Sequence, residues 1–332
     1  MLNVLVPSFS RFRFTGGPNT IFQFTQRLAA RGVPVRYVPV TEPPPDDIGY
    51  FWDHLEQLTG LNIETDVLRD IRDAGSDDVF MATWWPSAYM AGDRFVYFIQ
   101  DDESMFCTND ADRAKALATL SMDSFRIVNE SVLADHLGMD ECAVFEPAVD
   151  ETLFYPEEKT NQLVFYARPN RPRNLYQVGI LALDKVVKEG LLDGWDLIAV
   201  GSVLPKFGRT VGVRNIPWQR YKDYAAMLRK TRIALSLMNS PHTSYPPLEV
   251  SACGGVVVTN SFRGKTANRI KQYAPRSVVV WDSVDSVADG LRRALAGEGS
   301  DGEFRGCTHR NWDDAFSHIF PQVEGMVKPC RA

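Results

Sequence analysis

The sequence predicts two α/β domains in tandem, each built on a doubly wound parallel sheet. Three observations carry that prediction. Short apolar runs of strand length alternate with amphipathic helical segments through both halves, as parallel sheets with helical crossovers require. Residues 256 to 259 (VVVT) form a β-branched run without alternation, the mark of a strand buried on both faces. A Pro-rich, charged stretch, EPAVDETLFYPEEKTNQ, separates the two sets and reads as the domain boundary. The expected division is 1–155, 156–310, and a helical tail at 311–332.

The elements follow in order. Residues 2 to 6 form an apolar strand, which leads into the loop SFSRFRFTGGPNT and then into the helix IFQFTQRLAARG, closed by Gly32. Gly16 and Gly17 let a backbone come close to another molecule. Their spacing is neither the dinucleotide fingerprint nor a P-loop. Strands are expected at 35–40, 78–83, 95–99, 125–129 and 142–145, with helix over 46–75, from Asp110, and over 131–138. The second half predicts strands at 162–167, 196–201, 213–216, 233–238, 256–259 and 277–281, with helices at 174–189, 221–230, 248–253 and 284–296. In the tail, Trp312, Phe316 and Phe320 recur at spacing four, so one helix is expected to pack there, on the first domain.

Composition bounds the function. The chain has 332 residues, 45% hydrophobic and 23% charged, which describes an ordinary soluble protein. Its net charge of −6 argues against nucleic-acid or anionic-membrane binding as a default. No apolar run reaches the ~20 residues of a membrane span. The opening MLNVLVPSF reads as a core strand, not a signal peptide. Cys107, Cys142, Cys253, Cys307 and Cys330 are odd in number and lack CxxC spacing. They suggest a reducing cytoplasm with neither a zinc site nor a disulfide framework.

The stretch PHTSYPPLEVSACGGVVVTN organises the second half. Pro246 and Pro247 fit only the first turn of a helix, and Gly254-Gly255 close it. A helix start at the edge of a parallel sheet favours an anion. With two donors lost to proline, a phosphate would lean on the Ser244 hydroxyl and the N–H groups of Tyr245 and Leu248. Glu249, one turn on, could accept from vicinal hydroxyls of a ribose; its plainer reading is a solvated helix residue. The knot ARPNRPRN places Arg168, Arg171 and Arg173 after the first strand of this half, where guanidinium forks suit a diphosphate. Lys206 and Lys265 are further candidates at that edge. In the first half, Asp101, Asp102 and Glu103 follow a strand at its carboxyl end. They could bind hydroxyls or act as a base, or else cap the helix from Asp110. No convincing His/Asp pair is visible.

These pieces resemble a known family. The glycine pair after the first strand, PAVDETLFYP at the boundary and PLEVSACGGVVVTN look like retaining GT-B glycosyltransferases of the family 4 type. YFIQDDE, FYARPNRPRN and SPHTSYPPLEVSACGG resemble, more narrowly, bacterial WsaF-like rhamnosyltransferases. The resemblance covers nearly the whole chain. It implies two Rossmann-like domains facing a cleft, with the C-terminal helix packing back on the N-terminal domain. Arg168 and Arg173 would hold the diphosphate of a nucleotide sugar with Asn174 nearby, and Glu249 the ribose. Ser244 and Tyr245 would lie against the phosphates or sugar, with Trp218 a stacking surface for the base. Gly16 and Gly17 would let the first domain close on the donor, excluding water. Asp101 and Glu103 would face the acceptor. No metal or other cofactor is implied beyond the donor, for which the resemblance suggests dTDP-L-rhamnose. Peripheral membrane contact could arise only through a lipid-linked acceptor.

One departure stands out. The wider family pairs two glutamates eight positions apart, and the partner position here is Pro241, with His242 a candidate substitute. The WsaF-like branch shares that absence, which points to a changed donor sugar. Two alternatives remain at this stage: a nucleotide-sugar 2-epimerase on the same architecture, or a catalytically silent glycan-binding partner.

Overall fold

The computed structural model describes residues 1–9, 16–206, 211–217, 219–304 and 311–327. The chain divides into two compact units, Met1–Glu146 with Trp312–Ala332, and Pro147–Asn311. The break lies nearer the first domain than the boundary segment suggested. Val149 and Phe154 are buried in a core cluster of the second unit, and this is what assigns their stretch to it.

The first unit runs β1 (Leu2–Val6), α1 (Gly16–Ala30), β2 (Val35–Pro39), α2 (Gly49–Thr59), β3 (Asp66–Val67), β4 (Val79–Ala82), α3 (Trp85–Ala88), β5 (Phe95–Ile99), α4 (Asp110–Thr119), β6 (Ser124–Asn129), α5 (Ser131–Leu137) and β7 (Ala143–Phe145). The strands form one parallel sheet in the order β3-β2-β1-β4-β5-β6-β7. Two expectations are corrected here. α1 begins at Gly16, so the glycine pair forms its first turn instead of a loop. The long helix expected over 46–75 stops at Gly60, whose left-handed backbone (φ +72°) caps α2 by donating to the Glu56 carbonyl. The chain then adds the short edge strand β3 and a 3-10 turn at Ile71–Asp73.

The second unit runs β8 (Gln162–Ala167), α6 (Tyr176–Lys188), β9 (Asp196–Gly201), β10 (Arg214–Ile216), α7 (Tyr221–Lys230), β11 (Ile233–Leu235), α8 (Tyr245–Ala252), β12 (Val256–Asn260), α9 (Ala267–Tyr273), β13 (Ser277–Val280) and α10 (Val284–Leu295). Its parallel sheet has the order β10-β9-β8-β11-β12-β13. Alternate residues of β8 enter different cores: Leu163 and Phe165 pack with α6 and α10, Val164 with α7 and α8. Close helix–sheet packing is bought by glycine. A Cβ on Gly179 would stand 2.6 Å from the Phe165 ring, and one on Gly290 would stand 2.4 Å from Val280.

The tail returns to the first unit as two short helices, α11 (Trp312–Phe316) and α12 (Phe320–Met326), where one was expected. Pro321 explains the break, since it has no N–H to extend the ladder from α11. Phe316 is fully buried, with its ring centroid 5.0 Å from those of both Phe24 and Phe145, and Phe320 stacks on Phe24 at 5.6 Å. Arg27–Asp313 (3.0 Å) and Arg31–Glu324 pairs flank this contact. Phe316→Ala should therefore cost roughly 3–5 kcal/mol, the range for a phenylalanine deleted from a packed core. A calorimetric scan should show the first transition lowered. An unchanged scan would mean that the tail is not seated on α1.

Candidate functional site

In an open α/β sheet, ligands settle outside the carboxyl ends of the strands where the winding direction reverses. In the second unit that reversal lies between β8 and β11. β8 connects through α6 to β9 on one side, and β11 through α8 to β12 on the other. The two segments singled out from the sequence are the ones that leave these two strands.

Arg168 follows β8 directly. It is half-buried, and among the described residues its side chain has neither a hydrogen bond nor an ion pair. Its stem passes over Gly201, where a Cβ would come 3.1 Å from Arg168 Cγ and 2.9 Å from the Ala167 carbonyl oxygen. Gly201 also has φ +110°, so the last residue of β9 has two reasons to be glycine. The Arg173 carbonyl accepts the Asn239 N–H at 2.8 Å, pinning the 3-10 turn Pro172–Asn174 to the segment after β11. Arg173 is half-buried and Arg171 exposed. Asn174, 2% exposed, donates to the Leu237 carbonyl at 3.4 Å; its Oδ1 is buried with no hydrogen-bond partner among the described residues.

The segment after β11 is held by buried polar groups that the sequence did not reveal. Asn260 Oδ1 accepts the Met238 N–H at 2.7 Å, and Asn260 Nδ2 donates to Asn239 at 2.8 Å. Lys265, expected as a candidate at the phosphate edge, is instead 2% exposed and donates to the Met238 carbonyl at 2.6 Å, which makes it an anchor of this segment. The signal was only NxxxxK after an apolar run, which has no recognisable spacing. His242 is buried, and its Nδ1 donates to the Thr243 carbonyl at 2.9 Å, which fixes the proton on that nitrogen. Ser244 stands at the start of α8 but does not cap it; its hydroxyl lies 3.5 Å from Met238 Sδ. Pro246 and Pro247 occupy the first turn as expected. Leu248 is the fourth helical residue, so its N–H falls within the helix's own ladder, contrary to the sequence reading.

Glu249 is not a solvated helix residue. It is 5% exposed, with Oε2 accepting from the Tyr224 hydroxyl at 3.1 Å and Oε1 from Tyr221 at 3.3 Å. Burial pushes its pKa up to about 7, and the two tyrosine hydroxyls pull the other way. Burial, with the Glu249 charge adding to it, also raises the Tyr224 phenol, so that group stays a donor. An ionised carboxylate has about four lone-pair positions, and two remain for an incoming diol. Both tyrosines sit at spacing three at the start of α7, which looks like ordinary amphipathicity until α8 is placed beside it.

In the first unit the winding reverses between β1 and β4. Gly16 and Gly17 lie in the helix that follows β1. A Cβ on Gly17 would meet the Gln100 side chain at 3.6 Å, ordinary contact, so no neighbour within the unit demands glycine there. Asp101 is buried and accepts the Asp102 N–H at 2.9 Å. Glu103 accepts the N–H of Trp85, the first residue of α3. The helix from Asp110 is capped by Asn109, not by the acidic cluster. A His/Asp pair does form: Asp102 Oδ2 lies 2.9 Å from His136 Nε2, and Asp102 also accepts from Ser104. The 34 positions between them hid this from the sequence. Trp218 lies outside the described residues. Among the described residues, no group of three His, Cys, Asp or Glu could hold a metal ion, and no helix is long and apolar enough to cross a membrane.

Comparison with known proteins places one match on the same unit. Residues 161–292 match the family model described as WsaF, C-terminal domain. The O-antigen biosynthesis protein RfbC of Myxococcus xanthus is 36% identical over 199 residues, covering 55% of this chain; the chain spans 15% of that relative's length. HepE of Anabaena, solved in complex with UDP-glucose, aligns with a TM-score of 0.72 at 12% identity over 98% of this chain and 99% of its own. WaaG, a glycosyltransferase involved in lipopolysaccharide biosynthesis, aligns at 0.65 and 12% identity over 99% and 100%. Identities this low establish architecture alone. The chain thus has the GT-B fold, and residues 161–292 of its second unit are similar to the WsaF C-terminal domain.

Proposed function

We propose that this chain is a nucleotide-sugar-dependent glycosyltransferase of bacterial surface-glycan assembly. In this reading it transfers L-rhamnose from dTDP-L-rhamnose to a glycan hydroxyl with retention of configuration. The observation that supports it is the composition of the β8/β11 crevice. Among the described residues, a cation without a protein partner and a buried amide oxygen without one stand on one of the two segments that flank it. A buried carboxylate for a diol lies one turn further into α8. All of these residues fall inside the matched span. The O-antigen and lipopolysaccharide roles in the relatives' names point to a glycan acceptor.

The chemistry follows from those groups. The bond from the anomeric carbon to the departing phosphate oxygen breaks, and charge grows on the diphosphate. Arg168 and Arg173, with the Tyr245 N–H, stabilise that charge from fixed positions. The acceptor oxygen bonds to the same face of the sugar, and its proton passes to the leaving phosphate oxygen, so no dedicated base is needed. Glu249 orients the ribose, and Asn174 and His242 serve the diphosphate and sugar. The first unit, with Asp101, takes the acceptor side, and the chain works in the cytoplasm without a metal.

Calorimetry tests the donor. With EDTA present, dTDP should bind and UDP should bind less tightly; addition of dTDP-L-rhamnose and a rhamnose-terminated acceptor should give an extended glycan. Binding of neither nucleotide would overturn the transferase reading, and a preference for UDP would overturn the rhamnosyl donor. Release of an isomerised sugar without acceptor would make the chain an epimerase.

A further inference from the structure

We infer that the second unit carries a separate pyranoside-binding subsite at the carboxyl ends of β12 and β13, built on Trp281. Here a depression of about 500 Å³ is lined by Ser261, Phe262, Arg263, Trp281, Asp289 and Arg293, among others. The Trp281 side chain is 73% exposed, the most open large hydrophobic residue of the described chain. Its backbone is fixed nonetheless, since the Trp281 N–H donates to Ser286 Oγ at 2.9 Å at the start of α10. The anchored indole thus presents one uncovered, flat apolar face to the depression.

The opposite wall is equally particular. Arg263 has φ +47°, a left-handed conformation that a non-glycine residue seldom adopts and that gathers at ligand-binding turns. Its guanidinium lies over the Phe262 ring, 5.3 Å from the centroid. The floor bears an Arg293–Asp289 pair at 3.4 Å, and Arg293 also donates to the Val279 carbonyl at 3.3 Å. The lining therefore offers an aromatic face, a fixed donor fork and an adjacent carboxylate acceptor, with charges of both signs.

That chemistry selects the ligand. A phosphate or other anion would meet Asp289 and has no use for the indole. A peptide side chain could use the indole, but not the alternation of donor and acceptor beside it. A neutral pyranose has an apolar C–H face to lay on Trp281 and equatorial hydroxyls that both donate and accept, which match Asp289 and Arg293. β13 lies two strands from β11, so the subsite is displaced from the β8/β11 crevice by roughly 10 Å along the sheet edge. What the bound glycan is for rests on the transferase reading: a remote hold on a growing chain, which would favour longer acceptors. That it binds does not.

The intact chain, without nucleotide, is titrated calorimetrically with rhamno-oligosaccharides of two to six units, with dTDP titrated in parallel. The oligosaccharides should bind, Trp281→Ala should weaken them at least about tenfold, and Arg263→Ala should weaken them as well. Trp281→Ala should leave dTDP affinity unchanged; a parallel loss would overturn the subsite as a separate one. Oligosaccharide binding untouched by Trp281→Ala would overturn the assignment, and so would dTDP binding with no oligosaccharide binding. Oligosaccharide binding without dTDP binding would leave the subsite standing and overturn the dTDP-L-rhamnose donor instead.

Discussion

Replacing Arg168 by alanine should abolish sugar transfer while leaving the thermal transition where it was. The two halves of that expectation have separate causes. Transfer fails because a guanidinium can meet two oxygens of a diphosphate at once, each charged hydrogen bond being worth about 1.5–3 kcal/mol. dTDP should bind roughly 10- to 100-fold less tightly, and the turnover loss should be larger, because the leaving group is more charged in the transition state than in the donor. Stability is spared because Arg168 contributes no side-chain hydrogen bond or ion pair among the described residues. Arg168→Lys should recover only part of the activity, since an ammonium is a point charge without the fork. A variant that transfers at the wild-type rate would remove Arg168 from the site.

Glu249→Gln should make the protein more stable and less able to hold its donor. A carboxyl whose pKa rises from 4.5 to about 7 on folding binds its proton more tightly in the native state than in the unfolded chain. Stability contributed by this group is therefore greatest below pH 4.5, falls between 4.5 and 7, and is lost above 7. At pH 8 the ionised Glu249 costs on the order of 3 kcal/mol, a charge that glutamine does not carry. Denaturant melts at pH 8 should show the variant ahead, with the gap closing towards pH 5. Donor affinity should move the opposite way. In the wild type it should rise from pH 6 to pH 8 as the carboxylate forms, and in the variant it should be lower and flat. Equal melting of both proteins at pH 8 would show that the charge is not buried at a cost.

What was legible in the sequence was periodicity and position. The strands of both units except β3, the proline-opened helix α8 and the arginine turn all follow from short-range patterns, and so does the place of the last two at the carboxyl edge of one sheet. The winding reversal between β8 and β11 did not, because it depends on which strand lies beside which. For the same reason the Tyr221–Tyr224 clasp on Glu249, the Asn260 and Lys265 anchors of residues 238–239 and the His136–Asp102 pair were invisible: each joins residues 21 to 34 positions apart. The apparent signal at 46–75 failed because one glycine at position 60 outweighs a run of helix-forming charges. The acidic run at 101–103 was ambiguous for a physical reason. Carboxylates that cap turns and carboxylates that bind hydroxyls occupy the same place in such a sheet; Asp102 caps the local turn at Ser104 and Glu103 the start of α3.

The seat of Phe316 and Phe320 on Phe24 also bears on biosynthesis. During translation, the helix bearing Phe24 emerges early, but its cover emerges only after all of residues 147–311 have been made. At ordinary elongation rates that leaves an aromatic cluster naked for roughly ten to thirty seconds on the ribosome. Nascent chains arrested before residue 312 should therefore be chaperone clients, while those arrested past residue 327 should not.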